Sequence, residues 1–143
     1  MPTPAAMRAQ TSQTLWVATG GAVGAVTREL GILGLDLSPE AGVLLVNAIG
    51  SFVIGAILRF EKLLHPHVRD FHAVGFCGGL TTVSAWSWLM LGDLQVGALV
   101  SAAGFASVTI GVGLLAVLAG RALGGAVEAW WVQRRAGGGG AVR

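Results

Sequence analysis

Four apolar stretches occupy most of this 143-residue chain: Leu15 to Leu35, Gly42 to Leu58, Phe71 to Leu91 and Leu94 to Leu123. Coiled as a helix, each is long enough to cross a hydrocarbon core of ~30 Å. Inside that core no water can satisfy a free amide or carbonyl. A spanning segment must bond its own backbone, which leaves helices as the solution for runs of this kind. The chain is 54% hydrophobic and only 11% charged, and a soluble domain of this size has too little interior to hide so much apolar surface. The expected fold is an all-α membrane protein of four transmembrane helices. Residues 14–124 form the membrane domain, between a cytoplasmic tail over 1–13 and a disordered tail over 125–143 that holds "RRAGGGGAVR".

The connections support this division. The first stretch is too long for a signal peptide, and three more follow it. Ser38 and Pro39 read as N-cap and first residue of the second helix. The third and fourth spans are expected to join around Gly92 and Asp93. The lone cysteine, Cys77, excludes an internal disulfide.

Charge gives an orientation. Arg8, Arg59, Lys62, Arg69, Arg121, Arg134, Arg135 and Arg143 all fall on the side of the termini and the middle loop, while the other side carries Asp36, Glu40 and Asp93. The positive-inside rule then places both termini in the cytoplasm of a cell with a bacterial-type plasma membrane. The same distribution points to a membrane surface rather than to nucleic acid.

Polar groups inside the spans are costly, so each is a functional candidate. The glycine pairs Gly20/Gly24, Gly75/Gly79 and Gly120/Gly124 fit close helix packing. Asn47, with Ser51 one turn along, reads either as interhelical glue or as a donor to an ion in a pore. Ser101, Phe105, Thr109 and Gly113 recur on one face of the fourth span and by themselves read as packing. Arg28 ends the first span, either snorkelling or paired with an acid, or else drawing anions to an entrance. His65 and His67 lack a third ligand at metal spacing and read as a solvated loop.

The segment "GFCGGLTTVSAW" (75–86) stands apart. Gly78 and Gly79 lower helix propensity by about 2 kcal/mol relative to alanines, and Thr81 and Thr82 add β-branched stiffness. A break here frees carbonyls, which in a membrane must be buried, face water or hold an ion. Carbonyls suit a hard monovalent cation.

Together with "GGAVGAVTRE" (20–29) and "NAIGSFVIG" (47–55), this segment resembles the CrcB/Fluc fluoride channels in order, spacing and placement. The resemblance implies an antiparallel, dual-topology-type dimer with two fluoride pores and a structural Na+ at its centre. The Na+ would be held by the backbone carbonyls of Gly78 and Thr81 from each subunit. It implies a fluoride path past Asn47, Thr82, Ser84, Trp86, Phe105 and Thr109, with Arg28 near a vestibule. Hydroxyls, an amide and aromatic edges could replace the water around fluoride without a deep trap, and no nucleophile or base is needed, so an enzyme is not expected. Val83 and Trp86 stand where the family usually has phenylalanines; valine offers no ring edge, whereas tryptophan keeps one and adds an N–H. The charge bias further suggests a fixed orientation, and so an oppositely oriented paralogue as partner, in a heterodimer with one degraded pore. The rival readings are a four-span proton-coupled multidrug exporter built on Glu29 and a non-conducting assembly subunit. A proton-coupling carboxylate belongs mid-span in an apolar pocket, but Glu29 lies at a span's end beside Arg28.

Overall fold

The computed structural model describes residues 3–60 and 64–138. They are helical almost throughout, and no strand occurs among them. α1 runs Pro4–Gly34 and α2 Pro39–Phe60. The third helical segment begins with α3 (Pro66–Arg69), widens into a π-helical stretch (Asp70–Phe76) and tightens again into α4 (Cys77–Leu80). After two extended residues it resumes as α5 (Val83–Gln95); α6 follows at Leu99–Gly138.

Local signals account for the starts. Thr3 accepts from the Ala6 N–H at 3.3 Å with Pro4 as first helical residue, and Ser38 accepts from the Ala41 N–H at 3.3 Å with Pro39 in the same role. α5 is capped by Thr82, whose Oγ1 accepts from the Ala85 N–H at 3.1 Å.

Three segments, Pro39–Phe60, Pro66–Gln95 and Leu99–Arg135, are long and apolar enough to cross a membrane. Much of their apolar surface faces outward, with Val83, Trp88 and Val100 at 74%, 75% and 88% exposure, as a chain solvated by lipid or by a partner requires. A small buried core gathers Val43, Val46, Cys77, Leu80 and Ala102 around the break.

Two seams hold the bundle, and glycine makes both. α1 lies parallel to the third segment: a methyl on Gly20 would overlap the Phe71 carbonyl oxygen, and one on Gly79 would overlap that of Gly21. α2 lies parallel to α6, where Gly55 meets the Val117 backbone and Gly120 meets that of Phe52. Lipid tails are as apolar as leucine, so such backbone approach and its dispersion energy, rather than hydrophobic burial, join the helices. The packing role expected of the three glycine pairs is the one observed.

Three boundaries differ from expectation. α1 starts at Pro4, inside the stretch assigned to the N-terminal tail, because Thr3 and Pro4 form a good helix start. α5 runs through Gly92 and Asp93, and the turn comes at Val96–Ala98, where Gly97 takes φ +76 and α6 begins only at Leu99. Only a residue without Cβ enters that region at no cost, which puts the corner at Gly97. Finally, α6 continues to Gly138 where disorder is expected over 125–143. The Arg59–Glu128 ion pair (2.6 Å) and Arg134 over Trp130 (4.1 Å) support the extra turns. Residues 139–143, including Arg143, and 61–63, including Lys62, lie outside the described residues.

Candidate site at the broken helix

The helix breaks where Gly78–Thr82 predicts. Thr81 (φ −78, ψ 154) and Thr82 (φ −144, ψ 117) are both extended. Two such residues cannot sit in an i to i+4 ladder, so the last carbonyls of α4 lose the amides that an unbroken helix would supply. The Cys77 carbonyl keeps the Thr81 N–H at 3.0 Å and gains the Thr81 hydroxyl at 2.9 Å.

Neighbouring helices pin the break from two sides. From α2, Asn47 pairs with the backbone of Thr82 in both directions. Its Oδ1 accepts the Thr82 N–H at 2.8 Å, and its Nδ2 donates to the Thr82 carbonyl at 3.2 Å. From α1, the Arg28 guanidinium donates to the Gly79 carbonyl at 3.2 Å. The Thr82 N–H would otherwise serve the Gly78 carbonyl, which is left without that partner. Gly78 is exposed, and a methyl placed on it would touch nothing within 4 Å.

Two clefts open beside the pinned segment. One of about 470 Å³ is lined by Asn47, Ser51, Thr81, Thr82, Trp86 and Thr109, with Val83 at its edge. The other, of about 490 Å³, takes Thr82 and Ser84 on one wall and Arg28 and Glu29 on another. Thr82, 6% exposed, is the partition between them, and its hydroxyl meets that of Ser84 at 3.2 Å.

The expected site residues therefore divide. Asn47, Thr82, Trp86 and Thr109 share the first cleft, whereas Ser84 and Arg28 share the second. Phe105 lines neither cleft, but its carbonyl accepts the Thr109 hydroxyl at 2.8 Å. Donors left over in the first cleft are the second amide hydrogen of Asn47, the Ser51 hydroxyl and the Trp86 indole N–H, which is buried without a partner. Such a set can stabilise a small anion stripped of its water.

Sequence reasoning offers interhelical glue as one reading of Asn47 but does not foresee the Arg28 pin. Asn47 reads as glue or pore donor, and it spends one donor and its acceptor on a backbone 35 residues away. Arg28 reads as a vestibule charge, yet it also holds a carbonyl of the break. His67 stacks on Trp16 at 5.5 Å, and the described residues hold no group of three potential metal ligands.

The family model for "CrcB-like protein, Camphor Resistance (CrcB)" matches residues 15–121, a range that contains the break, both pins and both clefts. The chain belongs to the CrcB family. Several CrcB relatives carry the name "Fluoride-specific ion channel FluC". The one from Deinococcus radiodurans is 40% identical over 119 residues, covering 77% of this chain and 93% of the relative. That of Thermus thermophilus is 41% identical over 119 residues (79% and 95%), and that of Methanopyrus kandleri 39% over 111 residues (74% and 84%). These relatives are named as ion channels and not as enzymes. The outward apolar helices agree with a membrane channel.

Proposed function

We propose that this chain is a fluoride-specific channel that lets F⁻ leave the cytoplasm passively. The observation that carries the reading is the pinned break: Asn47 fixes Thr82 where two clefts meet, and Asn47, Ser51 and Trp86 retain unspent donors there. Fluoride is small and strongly hydrated, so its passage needs donors close together, each too weak to hold it. The names of the CrcB relatives supply the ion.

In this reading α1 also crosses the membrane, completing four spans, seamed to the third segment along its length and packed by glycine like the others. Two copies pair in opposite orientations across the exposed surface at Gly78 and Val83. A structural Na+ sits between their breaks. The carbonyl of exposed Gly78, deprived of its helical partner, suits such an ion, and with that of Thr81 from each copy forms a neutral oxygen set. When bound, the cation would favour a nearby anion electrostatically. The mechanism within this chain is passive. The amide, hydroxyl and indole donors replace water, Thr82 joins the two clefts, and Arg28 raises the anion concentration at the far one.

Both termini are cytoplasmic in this proposal, and the charge bias favours an oppositely oriented paralogue as partner. The test is fluoride efflux from liposomes that hold only this protein, with chloride as control. Fluoride-selective efflux supports a homodimer. Efflux restored only by a co-reconstituted paralogue supports the heterodimer, and none from folded protein in either case overturns the channel reading.

A further inference from the structure

The far end of α6 does something that conduction does not use. α6 runs parallel to α2, with Gly120 against Phe52 and Gly124 against Arg59, until the Arg59 guanidinium meets the Glu128 carboxylate at 2.6 Å. α6 continues from there to Gly138. That adds about 15 Å of helix beyond the Arg59–Glu128 pair.

Trp131 and Arg135 continue the line of Gly120, Gly124 and Glu128 in steps of three and four, beyond the Arg59–Glu128 pair. Trp130 and Arg134 lie beside them. The two indoles meet edge-on at 5.5 Å, and the Arg134 guanidinium lies 4.1 Å from the Trp130 ring centre. Both tryptophans stay about half exposed, at 47% and 54%. Among the described residues no carboxylate pairs with Arg134 or Arg135, and Glu128 is already committed to Arg59. Trp16, stacked on His67, lies toward the same end of the bundle, because α1 begins where α6 ends.

The chemistry of this cluster selects its occupant. Indoles settle at the headgroup level of a bilayer. A guanidinium presents a planar fork that matches two phosphate oxygens, and stacking on an indole pre-orders it. The group lies beyond the Arg59–Glu128 pair, at the end richest in arginine, where an anionic leaflet attracts positive charge. We propose that Trp130, Trp131, Arg134 and Arg135 form a binding site for the phosphate headgroup of an anionic phospholipid, which anchors the end of α6 at the membrane surface.

The full chain in neutral detergent micelles, titrated with brominated phosphatidylglycerol or brominated phosphatidylcholine, tests this through quenching of tryptophan fluorescence. The W130F/W131F variant isolates the relevant signal, and no transport is read, so the outcome is independent of the channel reading. Wild type should be quenched at several-fold lower mole fraction of the anionic lipid. R134Q/R135Q should lose that preference by about fivefold per arginine. R134K/R135K should recover only part of it, since an ammonium lacks the fork. Excess inorganic phosphate should leave quenching unchanged. Equal quenching by both lipids, no effect of R134Q/R135Q, full recovery with lysine, or displacement by inorganic phosphate would each overturn the proposal. If R134Q/R135Q fails to fold, the wild-type preference and the lysine variant decide.

Discussion

Asn47 binds the backbone of Thr82 in both directions, accepting its N–H at 2.8 Å and donating to its carbonyl at 3.2 Å. A side chain thus stands in for the helical ladder at the point where the third segment abandons it. The pairing links α2 to the break and holds the partition between two clefts.

Asn47→Ala removes both bonds and leaves the buried Thr82 amide unsatisfied, at about 1–3 kcal/mol, while the Thr82 carbonyl keeps its place at the start of α5. The variant should melt well below wild type in detergent and lose fluoride efflux. Asn47→Asp keeps the acceptor for the Thr82 N–H but loses the donor and adds negative charge. It should melt between the two and still pass no fluoride. Unchanged melting of Asn47→Ala would show that the pairing does not hold the break.

Trp86→Phe keeps one aromatic ring and deletes the pyrrole ring with its buried N–H, which has no partner among the described residues. Losing one hydrogen bond to an ion of about 1.5 kcal/mol corresponds to about tenfold slower efflux. Melting should hold steady, because no bond within the chain is broken. An efflux rate equal to wild type would remove the indole N–H from the path.

Gly79→Ala sets a methyl onto the Gly21 carbonyl oxygen, against a backbone that cannot yield without parting α1 from the third segment. Overpacking of this kind costs about 1–3 kcal/mol. Gly92→Ala, also within a helix, meets open space, and should stabilise α5 by about 0.5–1 kcal/mol. Comparing the two melting temperatures checks the seam, and similar shifts in both would argue against it.

A reporter fused to the C-terminus should read cytoplasmic in essentially every molecule, given where the arginines lie. Equal populations on both faces of the membrane would instead indicate a chain that inserts both ways, and would remove the argument for a paralogous partner.

Much of this architecture can be read from local chemistry. Ser38 and Pro39 start α2 because a hydroxyl and a fixed φ act within one turn. The paired glycines mark seams because only contact between backbones explains their spacing, and Gly78 through Thr82 mark the break through their own propensities. The illegible parts depend on partners distant in sequence. Nothing near Asn47 says that its amide will meet Thr82, and nothing near Arg28 points to the Gly79 carbonyl. The corner was misplaced by five residues at most, from Gly92 to Gly97, because an isolated glycine costs a helix only about 1 kcal/mol and the neighbouring turns of α5 absorb it. The run of α6 beyond Gly124 is likewise illegible locally, since the Arg59–Glu128 pair that supports it spans two helices.

The interruption at Thr81 and Thr82 also reverses polarity within the space of two residues. Pro66 to Leu80 ends there on its carbonyls, the negative pole of the aligned peptide dipoles, and α5 begins there on its amides, the positive pole. Lipid screens such partial charges poorly, so a single break offers a seat for a cation and, immediately beside it, a seat for an anion. An unbroken helix of the same composition would carry both poles to the membrane surfaces, where water would cancel them.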